Sequence, residues 1–304
     1  MSADRDVLVA QRDLAVLDER TLADAPRTGR SGRGLARVIG VVGPPLLTVA
    51  LFIGLFESIH RIELFHPLLW PSPFSVVETM WNQAFTEHMW ANLWITVQEA
   101  LWGFLFGSVT GFVFGVGIAL SRRFAQALYP YVVLVQSMPR IALAPVFAAL
   151  FGFGMVSKVI TAFAVCFFPV LINTIVGLKS VDEDQVSLMR SLCASRFQVF
   201  VRLRFPSSLP LLFAGLRTSM TLAFIGAVVG ELTAGQSGMG ELIDQAAMQV
   251  RMPAVFGYIM WLALTSLAFF LLLGAIGKRV AFWAESGADS ITASGARPRS
   301  TLGA

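Results

Sequence analysis

Gly235-Gln236-Ser237-Gly238 carries the glycine-flanked serine that a hydrolytic nucleophile would need. Such a serine works only with a base, usually histidine, within hydrogen-bond reach. The three histidines, His60, His66 and His88, all lie between the first two apolar runs, while Ser237 falls in a 231–252 connection. A glycine-rich turn is therefore the simpler reading of Ser237, and a buried His-rich metal site is not expected. Cys166 sits in an apolar run and Cys193 in a basic one, which gives no disulfide framework. No Gly-x-x-x-x-Gly-Lys-Ser/Thr loop occurs, and Gly277-Lys278-Arg279 places its lysine wrongly, so the chain should not bind or hydrolyse ATP alone. What remains is a set of polar groups inside apolar runs and one mixed basic segment between two of them.

The elements that position those groups are membrane spans. The 304 residues are 56% hydrophobic and only 14% charged, with mean hydropathy +0.70, whereas soluble chains carry roughly a quarter charged residues. The net charge of +4 is too small and scattered to indicate nucleic acid. A span needs about 20 apolar residues, and six runs qualify, at 38–57, 92–120, 126–151, 156–177, 209–230 and 253–277. Pro130, Pro139 and Pro145 interrupt the third, which also contains Arg140, and the fifth carries Arg217.

Basic loops resist translocation, so lysine and arginine mark the cytoplasmic side. With the amino terminus inside, 18 of the 23 Lys and Arg fall inside, and only Arg61, Lys158 and Arg251 outside. The expectation is an all-α integral membrane protein with six transmembrane helices and both termini cytoplasmic. Residues 1–36 form a disordered tail, 37–280 the membrane domain and 281–304 a second tail. The first run is read as a retained helix, being too long and lacking the small-residue cleavage site of a signal peptide. No loop is long enough for an enzymatic domain, so any energy source lies in another chain or in an ion gradient.

Gly103, Gly107, Gly111 and Gly115 recur every fourth residue, leaving one helix face bare for close approach by another backbone. That face serves either packing within the bundle or a homodimer seam. Polar groups in lipid must face protein or water, which makes Gln136, Ser137, Arg140, Asn173, Thr174, Arg217 and Thr221 pathway candidates, with Ser219 beside them. The competing readings are an inter-helix hydrogen bond for Asn173 and Thr174, and snorkelling of Arg217 to the interface. Arg140 follows Pro139 in a broken helix whose freed backbone groups could line a cavity. Glu99 is expected at the outer end of the second span.

Between spans four and five, Ser180 and Glu183 have capping-box spacing, so a helix should begin near Ser180. Val181, Leu188 and Leu192 fall near one face. A second short piece should follow Ser195 and end at Pro206, with Pro210 in the first turn of the next span. A mixed apolar and basic segment of this kind could lie on anionic lipid or dock in a groove of a soluble partner.

At these residues the chain resembles the permease subunits of bacterial ABC importers. Ser187-Leu188-Met189 stands where that family's Glu-Ala-Ala occurs, Cys193 where its glycine occurs, and Arg204-Phe205-Pro206 where a proline ends the signature, with Gly215-Leu216-Arg217 downstream. Trp70-Pro-Ser-Pro73, the stretch Gln136 to Pro145, Phe151-Gly-Phe-Gly154, and Gly230-Glu231 with Gly238-Met-Gly240 point to the nitrate, sulfonate and taurine branch. The resemblance spans about residues 65–280. It implies a multi-pass protein of the bacterial inner membrane, a homodimer of permeases, two ABC ATPase subunits and an extracytoplasmic substrate-binding protein. It also implies that ATP and magnesium sit on the partner, with no cofactor in this chain. Residues 180–206 would then contain the coupling helix. Its ATPase-contacting positions would be Ser180, Glu183, Ser187, Leu188, Met189, Arg190, Leu192, Cys193, Ala194, Ser195 and Arg196. Arg140 and Arg217 would suit a small anion such as a sulfonate, nitrate or aromatic carboxylate.

Three other classes compete. Ser237 superficially resembles the nucleophile of rhomboid-type proteases but has no histidine in its run. A secondary carrier usually needs acidic residues mid-membrane, and none lies clearly at a span centre. A non-transporting scaffold would show no solute flux.

Overall fold

The structure, a computed structural model, describes residues 69–284 continuously, together with 50–62 and positions 43, 47, 48 and 66. The first tail, most of 38–49 and the tail beyond 284 lie outside the described residues, and so does much of the first expected span. The chain divides into two compact units, Met1–Ile62 and Glu63–Ala304. In the first, residues 50–61 are helical (α1) and expose Leu51, Phe52 and Leu55. Arg61 pairs with Glu57 one turn back at 2.7 Å.

The second unit is helical throughout its regular elements: α2 Pro73–Ala84, α3 Glu87–Leu120, α4 Arg122–Ser137, α5 Ala144–Phe151, α6 Met155–Lys179, α7 Glu183–Ser191, α8 Arg196–Val199, α9 Phe205–Ala234, α10 Met239–Met248 and α11 Met252–Val280. Among the described residues four helical stretches are long and apolar enough to cross a membrane, Glu87–Leu120, Met155–Lys179, Arg196–Ala234 and Met252–Val280, and a bent pair makes a fifth if it is counted as one span.

That pair is the third expected span. α4 and the segment Arg140–Phe151 meet at 85°, so 126–151 is not one straight helix. Only one of its prolines breaks it. Met138, held extended (φ −76°, ψ 140°) as residues before proline are, ends α4 ahead of Pro139. Pro130 is tolerated inside α4, and Pro145 sits in the first turn of α5, where its missing N–H has no partner to lose.

α3, α6 and α9 form the core. The four glycines of α3 meet, in order, Ala162, Cys166, Phe167 and Thr174 of α6, so these two helices run parallel. A Cβ on Gly111 would stand 2.7 Å from the Phe167 carbonyl oxygen. The glycine face is thus used within the bundle. α9 returns antiparallel, with Gly226 against Ala162 and Gly215 against Asn173. Small side chains fill the middle (Ala100, Ala162, Cys166, Ala223 and Ala227 are buried) beside Phe224 and Met220. In lipid, where apolar surface gains nothing by self-association, such close backbone approach and the packing it permits hold helices together. α11 lies along α9, with Gly274 at Arg217 and Gly277 at Phe213.

Lys179, Arg190, Arg202, Arg204, Lys278 and Arg279 cluster with Arg122 and Arg123 at the ends or in the connections belonging to one end of this bundle. The opposite end carries α2, α10 and the turn between α9 and α10.

Candidate functional site

Two regions hold the polar chemistry, one at each end. At the basic end, the chain leaves α6 at Ser180, whose hydroxyl donates to the Gly177 carbonyl at 2.9 Å. Ser180 therefore closes α6 and does not open the next helix. The expected box of Ser180 and Glu183 is absent; Asp182 caps α7 instead, its carboxylate accepting from Asp184 N at 3.1 Å. A two-way box does form one helix later: Ser195 Oγ accepts from Gln198 N at 3.2 Å, and Gln198 Oε1 from Ser195 N at 2.8 Å.

Between these caps the chain makes a tight reversal. Ala194 N donates to Met189 O at 3.0 Å and Cys193 N to Arg190 O at 2.9 Å, the paired bonds of a Schellman stop. Its pivot is Cys193 at φ 58°, the left-handed conformation that glycine adopts without strain. Holding a side chain there costs about 1 kcal/mol. Cys193→Gly should accordingly keep transport and raise the stability of this segment by about 1 kcal/mol, read as slower proteolytic nicking between 180 and 206. Unchanged or faster nicking would contradict the strain.

Val186 is buried and anchors α7, whereas Leu188 is 62% exposed, Leu192 71% and Phe197 73%. Val181 is half-buried, so the expected Val181–Leu188–Leu192 face is split. Glu183, Ser187, Arg190, Cys193, Ser195 and Arg196 are exposed, and Met189 and Ala194 half-buried. The short second piece does not end at Pro206. α8 runs through a π turn, Phe200–Arg204, into α9, which takes Pro206 in its first turn and holds Pro210 in its interior. A π turn is a common way to absorb a residue in a continuing helix.

The pathway candidates are not brought together. Arg140 opens the 3-10 turn after Pro139, its guanidinium 4.8 Å from the centre of the Phe168 ring. It borders an open apolar cavity of about 450 Å³ walled by Phe114, Tyr131, Phe147, Phe163 and Phe167. Gln136 and Ser137 are exposed at the end of α4. Asn173 and Thr174 bond within their own helix, to Pro169 O at 2.8 Å and Val170 O at 2.7 Å. No inter-helix bond forms there, and Thr174, buried against Gly115, faces a helix seam instead of a pathway. Arg217 packs on the Phe270 ring at 4.2 Å and beside Gly274. Thr221 is half-buried on α9.

At the other end lies a buried ionic group that the sequence reading missed. Glu99 does not mark a helix end; it sits well inside α3, 1% exposed, paired with Lys158 at 3.1 Å. Lys158, also 1% exposed, donates further to Ser237 O at 2.8 Å and Ser237 Oγ at 3.2 Å. All three ammonium hydrogens are thus engaged, which leaves Ser237 beside a donor and supports the reading of a turn. Glu231 is fully buried and accepts from Thr96 Oγ1 at 2.6 Å and Gly240 N at 2.6 Å, while Asn92 Oδ1 accepts from Gly238 N at 2.8 Å. Gly238 is at φ 108°, and any Cβ there would strike the Glu231 carboxylate. One ion cluster therefore ties α3, α6, α9 and α10 together. The signal was available in Gly230-Glu231 and Gly238-Met-Gly240: Gly238 and Gly240 make room for the Glu231 carboxylate, and Gly230 for Lys158. Among the described residues no group of three or more metal-ligating side chains occurs.

Residues 103–282 match the family described as binding-protein-dependent transport system inner membrane component. The chain is 32% identical over 240 residues to the riboflavin transport system permease protein RibX of Chloroflexus aurantiacus, covering 79% of this chain and 90% of that protein. It is 30% identical over 214 residues to the putative aliphatic sulfonates transport permease protein SsuC of Bacillus subtilis, covering 70% and 78%. Among solved structures, an inward-facing form of the MetNI methionine ABC transporter aligns with TM-score 0.56 at 16% identity, over 62% of this chain and 94% of the matched chain. That likeness concerns the fold alone.

Proposed function

This chain belongs to the binding-protein-dependent transport system inner membrane component family, a multi-pass membrane transport permease rather than an enzyme, and from that premise we propose that it is the translocating subunit of an ATP-driven ABC importer. The observation that carries the proposal is the exposed apolar tip formed by Leu188, Leu192 and Phe197 on a rigidly capped reversal. Leu188 and Leu192 present apolar surface from a polar connection outside the candidate spans; such surface marks a protein or membrane contact, and the nucleotide-hydrolysing subunit is the partner proposed for it. In this reading the basic end is cytoplasmic, six helices span a bacterial inner membrane, and both termini are inside. A second copy of the chain and an extracytoplasmic binding protein complete the transporter.

Relatives named for riboflavin and for aliphatic sulfonates and the arginine-edged aromatic cavity support a small organic anion as cargo. If Arg140 attracts it, Arg140→Gln should lower the uptake rate about tenfold, the worth of one hydrogen bond to a charged group, with protein level unchanged. Equal uptake rates would remove Arg140 from the route.

The argument against a secondary carrier, that no acid lies clearly at a span centre, is weakened by Glu99, buried well inside α3, although Glu231 sits in the last turn of α9. Vesicles reconstituted with the genetically linked ATPase and binding protein separate the two. Uptake that needs ATP and survives a protonophore supports the importer; uptake driven by an ion gradient without ATP overturns it.

A further inference from the structure

At the basic end, between the last turn of α3 and the α7–α8 segment, lies a chamber of about 590 Å³ lined by Arg190, Arg196 and Arg204. A neighbouring chamber of about 490 Å³ shares Arg190 and Arg204 and adds Arg122 and Lys179, with Glu183 as the carboxylate on its wall. Among the described residues none of these five cations forms an ion pair. Phe200 is shared by the first chamber and a wholly apolar groove of about 460 Å³, otherwise walled by Phe112, Val113, Val116, Val201 and Phe205. The groove follows α3 from Val116 up to Phe112, a rise of about 6 Å at ~1.5 Å per residue, away from the basic end and into the apolar part of the bundle.

A basic chamber at the end of the spans, with an apolar groove on the other side of Phe200, matches one amphipathic anion. We propose that chamber and groove form a binding site for an anionic phospholipid, its phosphodiester among Arg190, Arg196 and Arg204 and one acyl chain along Phe112–Val116. Cationic pockets between helices at a membrane surface hold phospholipid headgroups in this way, each Lys or Arg contributing about fivefold in affinity. The groove explains why the ligand is a lipid and not a free anion: a phosphate ion would leave the apolar half unused. Arg190 and Arg196 also stand among the expected ATPase contacts, so lipid and ATPase share this face; lipid binding needs only this chain and is read without the ATPase.

The test is titration of the purified full-length chain in detergent with dioleoyl phosphatidylglycerol, with bound lipid counted by native mass spectrometry. Dioleoyl phosphatidylcholine and inorganic phosphate serve as the other arms. One phosphatidylglycerol per chain should be retained, more tightly than phosphatidylcholine and without displacement by millimolar phosphate. Arg190→Gln with Arg204→Gln should weaken retention about twenty-five-fold. Val113→Trp, which fills the groove and leaves the charges intact, should also weaken it and covers the case of an unstable double variant. Equal retention of both lipids, displacement by phosphate alone, or unchanged binding in the variants would overturn the site.

Discussion

Leu188→Arg and Leu192→Arg should each abolish solute uptake and co-purification of the ATPase, while the chain still inserts in the membrane at its normal level. Both side chains are more than half exposed, so neither substitution disturbs the bundle. Each removes an apolar anchor, worth ~2 kcal/mol or more at the centre of an interface, and puts a charge where it must lose water. A combined loss of about 4 kcal/mol would weaken docking roughly a thousandfold. Co-purification on a tagged ATPase measures it, with Val186→Ala as a contrast: Val186 is buried, and its loss should lower stability. Unimpaired co-purification and uptake in both arginine variants would remove α7 from the coupling role.

Lys158→Met should destabilise the chain by about 3–5 kcal/mol, because it leaves the Glu99 carboxylate buried without a cation. One Glu99 oxygen already lacks a hydrogen-bond partner, so the ion pair is the main compensation for its burial. Lys158→Met with Glu99→Gln should recover most of that loss, since the charge is removed together with its partner. Thermal unfolding of the purified variants in detergent separates the cases. A single variant as stable as the wild type, or a double variant no better than the single, would contradict the assignment.

Periodicity and charge made the main helices legible. Four glycines spaced by four predicted a bare helix face, and the face meets α6 residue for residue. Proline was ambiguous because its cost depends on position: Pro139 breaks a helix, Pro145 opens one and Pro130 lies within one. The box of Ser180 and Glu183 has the right spacing, but Ser180 had a nearer carbonyl at the end of α6. Cys193 was located by its place in the signature, and only the backbone showed why glycine belongs there. The ion cluster was hidden for a different reason. Glu99 and Lys158 are 59 positions apart and look like helix-end charges until the parallel packing of α3 and α6 sets them side by side.

Cys193 offers the most direct test of the proposed power coupling, being exposed while the other cysteine, Cys166, is buried. A membrane-impermeant maleimide is applied to intact cells and to inside-out vesicles, with and without the co-expressed ATPase. The account predicts labelling of Cys193 only in inside-out vesicles, and loss of that labelling when the ATPase is present. Labelling from the outside of intact cells, or labelling unaffected by the ATPase, would contradict it.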